Sequence, residues 1–262
     1  MHNSKNALKS CYQQQSNAFV SRICYTSRSS KNRIAYLFFK FYFFLRQGPL
    51  KGYAMNSIQM RMSSLFMRNT FKTQGFFEFP IIKKQSLPSN NINLISYSDT
   101  RLFDTDENKR CGVHYFIDDY RFNSIYNNPE RTLNKLSQYN FLLSPDYSTY
   151  SDMNIWRQIE SVAHSRWVGA YWQDYGFTVY PTVTWSDKRS FNFCFNGIEQ
   201  KSTVAVGMIG CKRNYKKEFL YGYDAMLEYI SPENIICYGP PFQEMTGNLI
   251  VVNYSDSRKR RK

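Results

Sequence analysis

Short apolar runs alternate with longer helical patterns from residue 79 to near the end of the chain. The runs are rich in β-branched and aromatic residues, and their alternation with helices is typical of βαβ units in a mainly parallel sheet. The pattern predicts eight strands, at about residues 80–83, 93–97, 112–117, 140–144, 177–184, 203–209, 234–238 and 249–253.

Two amphipathic helices are predicted in the first part of this region. Asn128 is placed to cap the first, with Pro129 at its first helical position, where a missing N–H costs nothing. Asp152 is placed to cap the second, whose apolar stripe begins at Ile155 and recurs at helical spacing. Gly176 is expected to end this second helix.

A third helix has an apolar stripe over residues 219–230 and is stopped by Ser231 and Pro232. A shorter helix is expected at about 187–195. Strands linked in this way form either a barrel like the (β/α)₈ (TIM) fold or an open, doubly wound sheet. Because segment 98–111 is too short and polar for a full crossover helix, an incomplete or distorted TIM-like barrel is favoured, and the open sheet is the alternative.

The net charge of +14 comes from the two ends of the chain. Before Glu78 there are 12 Lys/Arg and no Asp/Glu, residues 78–257 carry 17 Lys/Arg and 20 Asp/Glu, and residues 258–262 are all basic. The folded part is therefore mildly acidic. The expected organisation is a basic N-terminal extension over 1–61, one α/β domain over 62–257 and a basic tail over 258–262.

Residues 1–54 allow three interpretations. They form an arm that contacts phosphates, a membrane-surface or targeting segment, or sequence upstream of a later natural start at one of four methionines between residues 55 and 67. The apolar run at 34–45 is too short to span a bilayer. The six cysteines include no CxxC pair, which favours reduced thiols and a cytoplasmic protein without an integral membrane segment.

Aspartates recur where the predicted strands end. Asp118 and Asp119 follow the third strand, Asp146 the fourth and Asp187 the fifth. The carboxyl ends of parallel strands share one face, and ligands bind there, so the four carboxylates are predicted to form one catalytic cluster.

Clustered carboxylates repel one another unless a cation or protons compensate them. Asp118 and Asp146 are the metal ligands expected if the cation is Mg²⁺, which suits phosphate chemistry. Compensation by Arg121, Lys212, Arg213 or Arg166 and simple helix capping are the alternatives. The residues expected to contact a ligand on this face are Arg121, Ser144, Tyr147, Trp185, Ser186 and Lys212.

Other motifs argue against several common chemistries. The chain has no GxGxxG, GxxxxGK[ST] or GxSxG motif, which disfavours classical dinucleotide sites, P-loops and the hydrolase nucleophile elbow. His114 lies within a predicted strand and is expected to be a hydrogen-bonded core histidine. His164 has no ligand partner one helical turn later, so it is not expected to bind metal.

Four segments in order resemble one bacterial and phage family, which is known only as a domain of unknown function, number 4417. They are GVHYFIDDYRF at 112–122, LSPDYS at 143–148, RWVGAYW at 166–172 and PTVTWSD at 181–187. The resemblance extends over about residues 62–254 and implies an association with phages, prophages and plasmids. It implies no activity and no catalytic roles.

Three functions are compatible with these observations. The first is a cation-dependent hydrolase or transferase that acts on a nucleotide or nucleic acid at the aspartate cluster. The second is a non-enzymatic protein of a mobile element that binds nucleic acid or a host protein and draws affinity from its basic ends. A sensor that binds a small molecule at the strand ends is a third interpretation.

Overall fold

The computed structural model describes residues 57–61, 71–87, 91–211 and 213–258. Contacts divide the chain into Met1–Ser57 and Ile58–Lys262, and the second unit is the one considered below. Apart from helix α1, Ser57–Arg61, the predicted N-terminal extension lies outside the described residues, as does the tail beyond 258.

Two parallel sheets form the centre of the second unit. The first has four strands and the second three, and in each sheet the strands lie side by side in the order of the chain. The strands of the first sheet are β3 (Leu94–Ser96), β4 (Gly112–His114), β5 (Phe141–Leu143) and β6 (Val179–Tyr180). Those of the second are β7 (Thr203–Gly207), β8 (Asn234–Tyr238) and β9 (Leu249–Val252). Neighbouring strands pair in parallel, with Val113 of β4 opposite Leu142 of β5 and Ala205 of β7 opposite Ile236 of β8.

A bridge between Thr182 and Ala205 joins the two sheets. The amide of Val183 donates to the Ala205 carbonyl at 2.9 Å, and the Ala205 amide donates to the Pro181 carbonyl at 2.9 Å. Side chains from both sheets also meet in one buried cluster, formed by Leu94, Phe116, Phe141, Leu143, Tyr180, Ala205, Ile236, Tyr238 and Val252. Both sheets therefore enclose one apolar centre, and the other side chains of their strands pack in two further clusters with the helices, so the strands are apolar on both faces.

The predicted α/β class with a mainly parallel sheet is confirmed. A TIM-like barrel is not: within the described residues the parallel strands form two ladders joined by one isolated bridge, and β9 does not pair with β3. The short helix α7, Tyr254–Arg258, instead packs against β3. Segment 98–111 contains only a 3₁₀ turn and the four-residue helix α2, Asp106–Lys109, as its polar sequence predicts.

Three longer helices cover the sheets. They are α4 (Glu130–Leu136), α5 (Ile155–Asp174) and α6 (Lys216–Ile230), and the four-residue α3 (Ser124–Asn127) precedes them. Their apolar faces complete the two clusters outside the strands, as the stripes predict. No helix in the described part of the chain combines the length and apolar character needed to cross a membrane.

Two predicted helix caps are wrong. Asn128 is the C-cap of α3, and Pro129 takes the N-cap position of α4. Asn154, not Asp152, precedes the first turn of α5 and makes no side-chain cap bond. The predicted stops are confirmed, since Gly176 follows α5 at a φ of 86° and Ser231 ends α6 in the left-handed region.

An antiparallel hairpin precedes the parallel strands and was not predicted as such. It pairs β1 (Thr73–Gln74) with β2 (Phe79–Pro80). Beyond it, Ile82 bridges to Ile198, and its amide donates to the Gly197 carbonyl at 2.9 Å. The predicted strand at 80–83 is therefore realised as the end of β2 and one isolated bridge.

Candidate functional site

Two strand-end aspartates approach each other on one side of the parallel strands. Asp119 begins the 3₁₀ turn Asp119–Arg121 after β4, and Asp146 lies in the loop after β5. Ser148, two residues after Asp146, ties the loops together. Its amide donates to Asp119 Oδ2 at 3.1 Å and its hydroxyl to Asp119 Oδ1 at 2.9 Å. We call Asp119 and Asp146 the acid pair.

Burial gives Asp146 unusual acid–base properties. It raises the pKa of Asp146 to about 7, and the negative charge of Asp119 adds to the effect. The side chain keeps a minor exposed area, yet protein atoms crowd the carboxyl group, so the desolvation is substantial. Asp146 is therefore partly protonated near neutral pH, whereas an ordinary aspartate is fully ionised.

A thiol from the loop after β7 interacts electrostatically with Asp146. Burial raises the pKa of Cys211 to about 11, and the charge of Asp146 contributes to that rise. Cys211 is thus a protonated thiol rather than a thiolate nucleophile. The described residues contain no group of three or more His, Cys, Asp or Glu side chains placed to hold a metal ion.

The other two predicted aspartates are occupied within their own loops. Asp118 is exposed and lies 3.5 Å from the guanidinium of Arg121, three residues later. Asp187 accepts the Arg189 amide at 2.9 Å and its guanidinium at 2.7 Å, and these hydrogen bonds lower the pKa of Asp187. Of the four predicted carboxylates, the structure brings Asp119 and Asp146 into electrostatic contact.

The predicted ligand residues Ser144 and Tyr147 lie inside the protein. Ser144 Oγ is 3.0 Å from Ser165 Oγ and accepts the Thr182 amide at 2.9 Å, which links β5 to α5 and to the segment after β6. The ring of Tyr147 is buried edge-on against Phe122, with 5.1 Å between the ring centroids. These contacts place both residues beneath the candidate site.

Trp185 and Ser186 also make internal contacts. The Trp185 ring packs on Phe219 at a centroid distance of 5.1 Å, and the Ser186 hydroxyl donates to Gln158 Oε1 at 2.6 Å. Lys212 lies outside the described residues. The strand-end loops are held in place by side-chain contacts of Ser144, Tyr147, Trp185 and Ser186. That these four residues bind a ligand directly stays a prediction.

The two histidines in the described part of the chain pack against other side chains. His114 is buried, its Nδ1 accepts the Phe116 amide at 3.2 Å, and its Nε2 lies 3.0 Å from Ser257 Oγ. Burial lowers the pKa of His114 to about 3, so the ring is neutral, and the expected core histidine is confirmed. His164 stacks on Tyr126 with 3.5 Å between ring centroids.

Comparison with known proteins agrees with the family resemblance of the four sequence segments. The model of the family described as "Domain of unknown function (DUF4417)" matches residues 71–255. The chain belongs to this family. It is similar to the "Gene 1 protein" of Mycobacterium phage L5, with 33% identity over 178 residues, 67% of this chain and 76% of the relative. It is also similar to the "Gene 1 protein" of Mycobacterium phage D29, with 32% identity over 67% of this chain and 65% of that relative.

The phage association that the resemblance implied is confirmed by these relatives. The DUF4417 match contains every strand from β1 to β9 and both members of the acid pair. It begins nine residues after the expected start at 62 and ends one residue after the expected end at 254. No solved structure matches the chain.

Arg166, one of the cations expected to compensate the charge of the aspartates, is buried in this DUF4417 domain. Arg166 is 2% exposed and donates to the carbonyls of Asn196 at 2.9 Å, Thr182 at 3.0 Å and Cys194 at 2.7 Å. Burial lowers the pKa of Arg166 to about 10. The guanidinium therefore holds three backbone segments together, and its hydrogen-bond partners are carbonyls rather than the strand-end aspartates.

Ser148 and Cys211 are site residues that sequence reasoning missed. Neither has a motif of its own, although both follow a predicted strand within a few residues. Ser148 could have been found as the residue two places after Asp146 in the shared segment at 143–148. Cys211 carries no comparable signal, because a lone cysteine is most often a small buried hydrophobic residue.

Proposed function

We propose that this DUF4417 protein is a hydrolase or transferase that acts on a nucleotide or nucleic acid at the acid pair. The observation that carries the proposal is Asp146, a carboxyl group with its pKa raised to about 7 beside a second aspartate at the strand ends. Two carboxyl groups in unlike surroundings are a common basis for acid–base catalysis. The carboxyl ends of parallel strands are also where such sites are usually built.

The two carboxyl groups take different roles in this proposal. Asp146 gives up or accepts a proton near neutral pH, which is the property of an efficient general acid or base. Asp119 receives two hydrogen bonds from Ser148, so its oxygens have fixed directions and it orients the attacking group. Asp119 replaces Asp118 as the partner of Asp146, because Asp118 is exposed and paired with Arg121.

A divalent cation fits this donor set. Mg²⁺ in phosphate-transfer sites is often held by one or two carboxylates together with water and substrate phosphates, and the acid pair supplies two. A bound cation would relieve the repulsion within the pair, hold Asp146 in its ionised form so that it acts as a ligand rather than a proton donor, and polarise a phosphoryl oxygen. Since the described residues contain no larger metal-holding group, the remaining positions would be filled by water and substrate.

The test compares matched aspartate variants for hydrolysis of nucleotides and of single- and double-stranded nucleic acids with Mg²⁺ or Mn²⁺. Asp146→Asn and Asp119→Asn should each lower the rate by roughly a hundredfold or more, because a general acid or base typically contributes 10²–10⁴-fold. Asp118→Asn should retain most activity, because it lies one residue from Asp119 in the same loop but faces Arg121.

Thermal shift measurements with the same variants test the cation separately. Mg²⁺ or Mn²⁺ should stabilise the wild-type protein and Asp118→Asn, and the shift should disappear in Asp146→Asn. Equal activity and equal cation shifts in all three variants and the wild type would contradict the proposal.

The alternative is a non-enzymatic protein of a mobile element that binds nucleic acid or a host protein. It is supported by the basic residues outside residues 78–257, where the chain carries 12 Lys/Arg before Glu78 and five after residue 257. In that case affinity comes mainly from the ends of the chain and falls steeply with salt.

A further inference from the structure

Exposed aromatic rings alternate with cations on the surface beside the acid pair. Tyr120 is 70% exposed, Tyr150 62% and Tyr221 51%. Aromatic rings at such exposure bury little surface within the fold, so they contribute little to its stability. With the cations near them they form what we call the ring–cation strip: Tyr120, Arg121, Tyr150, Lys188, Arg189 and Tyr221.

The strip begins at the acid pair. The Ser148 hydroxyl lies 2.9 Å from Asp119 Oδ1 and 3.2 Å from the Tyr150 hydroxyl, so one side chain connects the carboxylate to the first ring. Tyr120 directly follows Asp119, and the guanidinium of Arg121 lies 5.2 Å from the centroid of the Tyr120 ring. Two exposed rings and a cation thus adjoin the carboxylates.

The strip continues along the loop that precedes α5. Arg189 donates to the Ser151 carbonyl at 3.0 Å, which places a second guanidinium next to Tyr150. Beside Arg189 in the chain, Lys188 places its ammonium 4.6 Å from the centroid of the Tyr221 ring. Rings and cations therefore follow one another from the acid pair to α6.

Interleaved rings and cations suit nucleic acid whose bases are unpaired. Bases stack on aromatic side chains, while cations contact the phosphates between them. The strip carries three cations, but Asp118 and Asp187 each pair with one of them, so its net charge is only one positive. Stacking rather than charge must then supply most of the affinity. A single strand offers the faces of its bases, whereas a duplex hides them.

We propose that the ring–cation strip binds single-stranded nucleic acid and leads it to the acid pair. This inference deepens the proposed function, on which it rests for the reaction, by naming the substrate class. Binding itself requires only the strip, so it is measured apart from the chemistry.

The test uses the full chain carrying Asp146→Asn and a fluorescent single-stranded oligonucleotide, with affinity measured by anisotropy. High salt is used because it suppresses binding by the basic ends of the chain. Tyr150→Leu and Tyr221→Leu should each weaken binding by about tenfold, in keeping with the usual loss of one stacked base. Tyr150→Phe should bind like the parent, because it keeps the ring and removes only the hydroxyl.

Phe103→Leu is the matched control for an exposed ring. Phe103 is 89% exposed, and the neighbouring carbonyl of Leu102 accepts Gln138 Nε2 at 3.2 Å, close to the start of β5 rather than its end. Its loss should leave the affinity unchanged. Equal affinities of Tyr150→Leu and Phe103→Leu, or equally tight binding of the duplex of the same sequence, would overturn the inference.

The two proposals fail in distinguishable ways. Strip-dependent binding together with full turnover by Asp146→Asn contradicts the acid pair and leaves the strip supported. Loss of turnover in Asp146→Asn without any effect of the ring variants on binding contradicts the strip and leaves the acid pair supported.

Discussion

Two of the strand-end aspartates are paired with a cation from their own loop. Arg121 lies three residues after Asp118 and pairs with it, and Arg189 lies two residues after Asp187 and forms several hydrogen bonds to it. Asp146 has no such neighbour within its loop, and Tyr147 and Ser148 follow it. Its carboxyl group is instead desolvated next to Asp119, and this difference raises the pKa of Asp146 to about 7.

Stability should depend on pH through Asp146. Because its pKa is raised to about 7 in the folded state, folding takes up a proton between the ordinary aspartate value and about 7. Stability contributed by protonated Asp146 is therefore lost as pH rises through this window. Asp146→Asn, which stays neutral, should raise the free energy of unfolding at pH 8 by on the order of 1–3 kcal/mol.

Urea unfolding of both proteins from pH 4 to pH 8 checks this prediction. The advantage of Asp146→Asn should shrink as pH falls and be small near pH 4, where the wild-type carboxyl group is protonated in the folded state and about half protonated in the unfolded state. Asp118→Asn serves as the control and should change stability by less than about 0.5 kcal/mol, since its carboxylate belongs to an exposed ion pair. A constant difference between Asp146→Asn and wild type across the range would contradict the raised pKa.

The sequence predicts where the candidate site lies, but it does not predict which residues form it. Strand ends are readable from apolar runs, so Asp118, Asp119, Asp146 and Asp187 could all be placed on one face. Which of them meet depends on how the loop after β4 turns, and the Ser148 hydrogen bonds that fix this turn are contacts between distant residues. Arg189, two residues after Asp187, is a usable signal for excluding Asp187, whereas Arg121 follows both Asp118 and Asp119 and does not distinguish them.

Packing between elements leaves no room for side chains at certain glycines. Gly222 lies in α6, where alanine would usually be the better helix former. A Cβ atom added there would lie 2.2 Å from Cδ1 and Nε1 of Trp185, whose ring packs on Phe219. The close approach of α6 to the loop after β6 therefore depends on this glycine.

Gly222→Ala should lower the free energy of unfolding by up to about 2 kcal/mol. Overpacking against Trp185 costs about 1–3 kcal/mol, and the gain in helix propensity of about 1 kcal/mol offsets part of it. Glu228→Ala, at an exposed position of the same helix, is the control and should stay within about 0.5 kcal/mol of wild type. In a Trp185→Leu background, Gly222→Ala should become neutral or stabilising, and an unchanged cost there would show that Trp185 is not the cause.

Element types were predictable because apolar spacing reports burial directly. The stripes from Ile155 and at residues 219–230 become the inward faces of α5 and α6, and the β-branched runs become buried parallel strands. Caps were not predictable, because Asn128 and Asp152 are good N-cap residues whose backbone is fixed by neighbouring turns. The two-residue strands of the hairpin β1-β2 are too short to show a period.

At the scale of the whole molecule, positive charge is concentrated at the two ends of the chain. The region from 78 to 257 carries three more acidic than basic residues, whereas residues 1–54 contain nine Lys/Arg and residues 258–262 five. Attraction to nucleic acid through these ends is electrostatic and falls with salt, because it depends on releasing counterions from phosphates. Attraction through the ring–cation strip depends mainly on stacking and responds weakly to salt. Salt therefore separates the two modes of binding within one protein.

Removing residues 1–54 and 258–262 should flatten the salt dependence of binding to a single-stranded oligonucleotide. The logarithm of the affinity falls by about 0.7 per tenfold rise in salt for each phosphate neutralised on a single strand, so losing several end contacts lowers this slope by several units. Affinity at low salt should drop by more than about a hundredfold, while affinity at high salt should change little.

Deleting only residues 258–262 should give an intermediate slope, and circular dichroism with urea unfolding should confirm that each shortened chain folds. An unchanged slope would mean that the folded region itself supplies the phosphate contacts, despite its acidic balance. Loss of affinity at every salt concentration would instead assign binding wholly to the ends and favour the non-enzymatic alternative.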